Sequence, residues 1–242
     1  MDDCIAVNLE RIRERISRSA QRAGRAEEEI TILGVTKFHD AHAVERAYRA
    51  GLRRFGENRV QEAVLKYQDS LRESLPGLKL DMIGVLQKNK INKAIPFFDA
   101  IQSIDSVQLL AAIINRAGKR ARPLELFLEL HTGEETKTGF SSLDEMYRAV
   151  DLYLEKSGAN PNLSADYPLR GLMTMAPFTN DISMQRKSFR TLRQAMEALR
   201  SRYGLVELKD LSMGMSMDFE AAVEEGATIL RIGTALFGSR AG

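Results

Sequence analysis

The stretch that decides the fold is residues 211–238, LSMGMSMDFEAAVEEGATILRIGTALFG. An apolar run is followed by a Gly-containing turn and a short helical pattern carrying Phe219, Ala222 and Val223. Gly226 stops the helix, a second apolar run covers 228–233, and another Gly-containing turn follows. Strand, helix and strand in that order make a parallel crossover unit. The same residues include hydroxyls (Ser212, Ser216, Thr234), glycines (Gly214, Gly233) and a cation, Arg231. That inventory suits a phosphate, because glycine lets backbone N–H groups come close and hydroxyls and a positive charge complete the shell.

Working outward, the unit repeats toward the N-terminus. Residues 30–37, ITILGVTK, are short, apolar and β-branched, and read as a buried strand. Asp40 is placed to cap the next helix, which buries Val44, Ala47 and Tyr48 and stops at Gly51. Further strands fall at 54–58, 78–84, 100–105, 124–131, 169–175 and 207–213. Between them, Val60, Val64, Tyr67 and Leu71 mark one helix, ended at Pro76 and Gly77. A short helix over 88–98 is interrupted near Pro96, and another carries Val107, Leu110, Ala111 and Ile114. Ser142 and Glu145 form a capping-box pattern. A long helix runs over 182–203 to Gly204, whereas 157–168 (SGANPNLSADYP) reads as a loop. Ile5, Leu9, Ile12 and Ile16 form one face of a helix ahead of the first strand.

Strands alternating with helices give an α/β fold, and eight is the closing number of a (β/α)8 TIM barrel. The expectation is a single barrel domain over residues 1–242 with an extra N-terminal helix. An open doubly wound sheet uses the same alternation, and the count favours the barrel.

The totals narrow the partners. With 35 basic and 33 acidic residues the net charge is +2, so no dedicated nucleic-acid surface is expected. The arginines of the first helix (Arg11, Arg13, Arg15, Arg18, Arg22, Arg25) read as a solvated face. Cys4 is the single cysteine, which excludes an internal disulfide and suits a reducing compartment. No run approaches the roughly 20 apolar residues that span a membrane, and the charged N-terminus has no signal-peptide core. A cytoplasmic protein without a membrane partner is expected.

Barrel chemistry sits at the C-terminal ends of the strands. Those ends carry Lys37, Asn58, Gly84 with Gln87 and Asn89, Asp105, His131, residues 173–175, 212–216 and 231–234. Lys37 ends an apolar strand, where desolvation favours the neutral amine that attacks aldehydes; a lysine there can also simply reach solvent. The turn through Ser212, Met213 and Ser216, with Gly233 and Thr234, occupies the usual barrel phosphate position. Arg231 shares a face with Ile229 and Gly233, and on the interior it needs a polar partner such as a phosphate or ring nitrogen. His39 and His42 lack further ligands, so a surface reading outweighs zinc. Residues 134–137 read as a solvated loop.

The motifs together carry a family signature: ThrLys at 36–37, PheGlyGluAsn at 55–58 and IleGly-x-LeuGln-x-AsnLys at 83–90. SerIleAsp at 103–105, GlyGluGluThrLysThrGlyPhe at 133–140 and GlyLeuMet at 171–173 follow. LeuSerMetGlyMetSer-x-AspPhe at 211–219 and ArgIleGlyThr at 231–234 complete it. Over nearly its whole length the sequence resembles the pyridoxal-phosphate homeostasis proteins, barrels like the alanine racemase N-terminal domain (fold type III). The resemblance implies that Lys37 holds pyridoxal 5′-phosphate as a Schiff base. It implies that Gly233 and Thr234 hold the phosphate with Ser212 or Ser216 assisting, that Arg231 faces the ring nitrogen, and that Asn58 lines the pocket. Met213 belongs to the same expected cofactor set. The family implies cofactor balance in the cytosol without established turnover; for partners, the expectation is a monomer in transient contact with pyridoxal-phosphate-dependent enzymes. An amino-acid racemase or decarboxylase is the alternative, and a sugar-phosphate aldolase or isomerase follows if the resemblance is set aside. Leu80, Asp81, Met82 and Val85 depart from the aromatic or histidine residues frequent there in the family, so no histidine role is expected at the third strand.

Overall fold

In the computed structural model, which describes residues 3–133 and 138–238, the crossover unit at the C-terminal end closes a barrel. Its strands are β1 Thr31–Val35, β2 Arg54–Glu57, β3 Lys79–Met82, β4 Ala100–Ile104, β5 Glu125–Glu129, β6 Leu169–Met173, β7 Asp210–Ser212 and β8 Ile229–Ile232. All neighbours are parallel and run in sequence order, and β1 pairs with β8 in the register Thr31↔Ile229 to Gly34↔Ile232. The barrel reading therefore holds and the open-sheet alternative does not.

The helices are α1 Asp3–Arg22, α2 Ala41–Arg49, α3 Val60–Lys66, α4 Asp69–Ser74, α5 Ile91–Phe97 and α6 Val107–Ile114. They continue with α7 Leu143–Ala159, α8 Pro161–Asp166, α9 Ile182–Tyr203, α10 Phe219–Glu224 and α11 Thr234–Phe237. Period-two alternation sorts the strand side chains into two cores. Leu33, Val35, Ala100, Phe127 and Ile229 point inward and cluster, with Ile83 against them. The outward set, including Leu80, Leu126, Leu128, Leu230 and Ile232, joins the helices in the larger core. Phe127 fills the barrel because its neighbour is Gly171: a Cβ there would lie 2.6 Å from the ring.

Local signals explain several boundaries. The Asp40 side chain accepts the Ala43 N–H and starts α2. Asp181 accepts the N–H groups of Ser183 and Met184 to start α9, and Gly204 ends that helix in the left-handed region at φ 65°. Ser142 accepts the Glu145 N–H, but the Glu145 carboxylate takes the N–H of Ser141 instead of closing the box on Ser142.

Three expectations change. The helix expected through Leu71 breaks at Tyr67, a fully buried side chain whose hydroxyl lies 2.6 Å from Thr36 Oγ1. Most of 157–168 is helical: α7 continues to Ala159, and α8 starts with Pro161 behind an Asn160 cap that accepts the Asn162 N–H. The arginine face of α1 is partly engaged, since Arg15 and Arg22 pair with Glu220 and Glu224, and Arg25, beyond the end of the helix, donates to the Val223 carbonyl. Its other face buries Ile5, Leu9, Ile12 and Ile16. The loop expected at 134–137 lies outside the described residues. Among the described residues, no helix is long and apolar enough to cross a membrane.

Candidate functional site

The C-terminal ends of the strands enclose a cavity of about 1020 Å³. Lys37, Asn58, Ser216, Arg231, Gly233 and Thr234 all line it, and so do Gly84, Gln87 and Met175. Of the other expected mouth residues, Asn89, Asp105 and His131 stand outside its wall.

Lys37 is presented by a clamped turn. β1 ends at Val35, and the next residue, Thr36, is fully buried. Its hydroxyl lies 2.7 Å from Glu57 Oε1 and 2.6 Å from the Tyr67 hydroxyl. Lys66, from the end of α3, donates to the Thr36 carbonyl at 2.6 Å and to Glu57 Oε1 at 2.7 Å. Phe38 then adopts φ 69°, in the left-handed region that non-glycine residues rarely enter. The turn is held by buried charge-assisted bonds on one side of Lys37 while its side chain stays on the cavity side. Burial pushes the Glu57 carboxyl up, and Lys66 and Thr36 oppose that rise. Sequence reading missed this support, because pairing between a strand end and the next helix has no periodic signature.

Arg231 is interior, as its alternation with Ile229 predicts, and only 4% exposed. Its polar partners come from the chain itself. Nη1 donates to the Ser212 carbonyl at 2.7 Å and the Ser212 hydroxyl at 2.9 Å, and Nη2 donates to the Thr174 carbonyl at 2.7 Å. Ser212 Oγ donates to Gln102 Oε1 at 2.5 Å, and Gln102 Nε2 donates to Asp81 Oδ2 at 2.5 Å. Arg54 Nε donates to the same Asp81 oxygen at 2.7 Å. A polar chain thus runs through the barrel from Arg54 up to Arg231. Burial lowers the Arg231 guanidinium to about 10, with Glu129 and Asp218 opposing the fall. Asp81, at the family departure on β3, is a structural member of this chain.

Two of the expected cofactor residues stand apart from the cavity wall in this arrangement. Ser212 is fully buried, engaged by Gln102 and Arg231, and absent from the cavity wall. Met213 is likewise fully buried and packs in the outer core. Met215 and Ser216 are the residues of that turn that reach the cavity. The strand ends at Ser212, so the chain needs two or three more residues to rise to the mouth.

The two phosphate-type loops are joined, since Ser216 Oγ accepts the Ala235 N–H at 3.1 Å. Gly233 precedes α11 and Thr234 opens it. Among the described residues, the N–H groups of Gly233 and Thr234 meet no backbone acceptor, and both residues line the cavity. On the far side, Gly84 brings β3 against Asn58: a Cβ there would lie 2.5 Å from the Asn58 carbonyl oxygen. Asn58 Oδ1 is buried without a hydrogen-bond partner.

Glu129, at the end of β5, also lines the cavity and is 2% exposed. Burial raises its carboxyl to about 7, against the opposing pull of Arg231 and Thr138. Period-two counting from Phe127 would have marked it as an interior acid.

Residues 7–241 match the family model described as "Alanine racemase, N-terminal domain". The chain is 36% identical over 239 residues to the pyridoxal phosphate homeostasis protein of Escherichia coli K12, covering 98% of this chain and 97% of that protein. It is 39% identical over 235 residues to the protein of the same name from Aquifex aeolicus, covering 96% of each. The chain belongs to this family. Among solved structures, PipY of Synechococcus elongatus PCC7942 with pyridoxal phosphate bound superposes with a TM-score of 0.75 at 34% identity, covering 93% of this chain and 100% of that one. For a family of this kind, the cavity at the barrel mouth is the site to be explained.

Proposed function

We propose that the chain binds pyridoxal 5′-phosphate through Lys37 and serves the intracellular balance of that cofactor without catalytic turnover. The observation that carries this reading is that a lysine and two linked phosphate-type loops line one cavity. The residues fit the group. Gly233 and Thr234 offer backbone N–H groups, Ser216 and Thr234 offer hydroxyls, and the buried Asn58 Oδ1 has no partner of its own. Relatives at 36% and 39% identity are named pyridoxal phosphate homeostasis proteins, and PipY holds that cofactor in its structure.

When bound, the cofactor supplies an aldehyde that condenses with a primary amine and a ring that draws electrons from the product. Lys37 would hold it covalently; Ser216, Gly233 and Thr234 would hold the phosphate; Asn58 would line the opposite wall. Arg231 stays charged at neutral pH. A ring nitrogen set against that cation would stay unprotonated, which weakens the electron sink and limits turnover. A second reading, as an amino-acid racemase or decarboxylase, draws on Glu129, a second titratable group in the same cavity. Cα-proton exchange over a panel of amino acids decides between the two.

The protein is proposed as a cytoplasmic monomer in transient contact with pyridoxal-phosphate-dependent enzymes. Val85 and Met217 support the contact, because both line the cavity yet are 55% and 78% exposed. The test is the colour of the purified protein: a visible band that survives dialysis is expected, and a colourless protein that takes up no added cofactor contradicts the reading.

A further inference from the structure

The closed strand order places β5 across the barrel from β1, so Glu129 faces the cavity from the side opposite Lys37. It stands one inward position above Phe127, the ring that fills the barrel beneath. Its described hydrogen bond is from the Thr138 hydroxyl to Oε1 at 3.2 Å. Among the described residues, no cation lies within ion-pair distance of it. Arg231 approaches from β8, but its Nη1 and Nη2 are directed to Ser212 and Thr174. Asp105, beyond β4, adds like charge, and Asp218, ahead of α10, is a second acid on the cavity wall. Lys37 faces it from β1 and is the amine that the proposed cofactor would consume.

A carboxyl so placed is built to carry a proton. A buried carboxylate with no ion-pair partner among the described residues is costly, and protonation removes the cost and creates a donor. A ligand filling the cavity displaces water and brings its own negative phosphate, and both effects favour the neutral acid further. The value near 7 already reached in the open cavity is in accord with that direction.

Resting on the cofactor reading above, we infer that Glu129 is a positioning residue that donates a hydrogen bond from a protonated carboxyl to an acceptor on the edge of the bound ring, so that loading the pocket takes up a proton. The ligand class this selects is a phosphorylated aromatic heterocycle with a phenolate oxygen, its ring nitrogen being the atom set against Arg231. Loading then weakens as pH rises, because the proton must come from an ever more dilute pool.

The test is calorimetric titration of the full-length apoprotein with pyridoxal 5′-phosphate at pH 8 in two buffers of different ionisation enthalpy. The wild type takes up about one proton more than Glu129→Gln, the contributions of Lys37 and the cofactor being common to both. Above pH 7 the wild-type affinity falls roughly tenfold per pH unit relative to the variant. Equal proton counts and parallel pH profiles overturn the inference while leaving the cofactor reading intact. Absence of binding to the wild type overturns both. An infrared difference spectrum of the wild type needs no substitution: a protonated carboxyl gained on loading at pH 8 is expected, and none gained overturns the inference.

Discussion

Replacing Glu129 with glutamine changes the pH dependence of stability in a calculable way. The side chain is 2% exposed, and its carboxyl rises from 4.5 to about 7 on folding, with burial as the largest cause. Between those values the folded chain binds more protons than the unfolded one. Wild-type stability therefore falls as pH rises from 4.5 to 7 and is level above that. At about 1.4 kcal/mol per pKa unit, the whole loss is about 3 kcal/mol. Glutamine keeps the shape and the Thr138 contact and has no charge to bury. The variant should thus gain on the wild type as pH rises from 5 to 8, by about 2.5 kcal/mol, or roughly 5 °C in Tm for a chain of this size. Denaturant and thermal unfolding of the two apoproteins at pH 5, 6, 7 and 8 read this directly. A stability difference that is constant across that range would refute the reasoning.

Other substitutions test the supports of the site. Lys66→Met strands Glu57, which is fully buried, and should cost about 3–5 kcal/mol in urea unfolding, with most of it recovered in Lys66→Met/Glu57→Gln; a loss under about 1 kcal/mol shows the pair to be idle. Gly84→Ala places a Cβ 2.5 Å from backbone at Asn58, so cofactor affinity by calorimetry should fall about tenfold or more, and unchanged affinity removes Asn58 from the pocket's function. Ser212→Ala leaves Gln102 and Arg231 short of a partner and should cost about 1–3 kcal/mol in the apoprotein, measured by unfolding; a neutral effect argues against the interior polar chain.

Legibility in the sequence followed periodicity and capping. The eight strands and α9 could be read because alternation and Gly204 are local signals. Residues 157–168 misled because Asn160 and Pro161 are turn residues and equally good helix starters. Tyr67 misled because its tertiary bond to Thr36 ends a helix whose pattern continues. At the site, Lys37, Ser216, Arg231, Gly233 and Thr234 followed from strand-end placement. Ser212 and Met213 did not, since the strand ends at Ser212 and the chain reaches the cavity only at Met215 and Ser216. The Gln102–Ser212 bond spans 110 residues of sequence, and no local pattern announces it.

The most direct measurement is the absorbance spectrum of purified protein before and after borohydride, followed by peptide mass mapping, for the wild type and Lys37→Ala. The expected result is a visible band that borohydride bleaches, leaving a fixed adduct on Lys37 in the wild type and no adduct in the variant. A fixed adduct retained in Lys37→Ala, or mapped to another lysine in the wild type, would contradict the account.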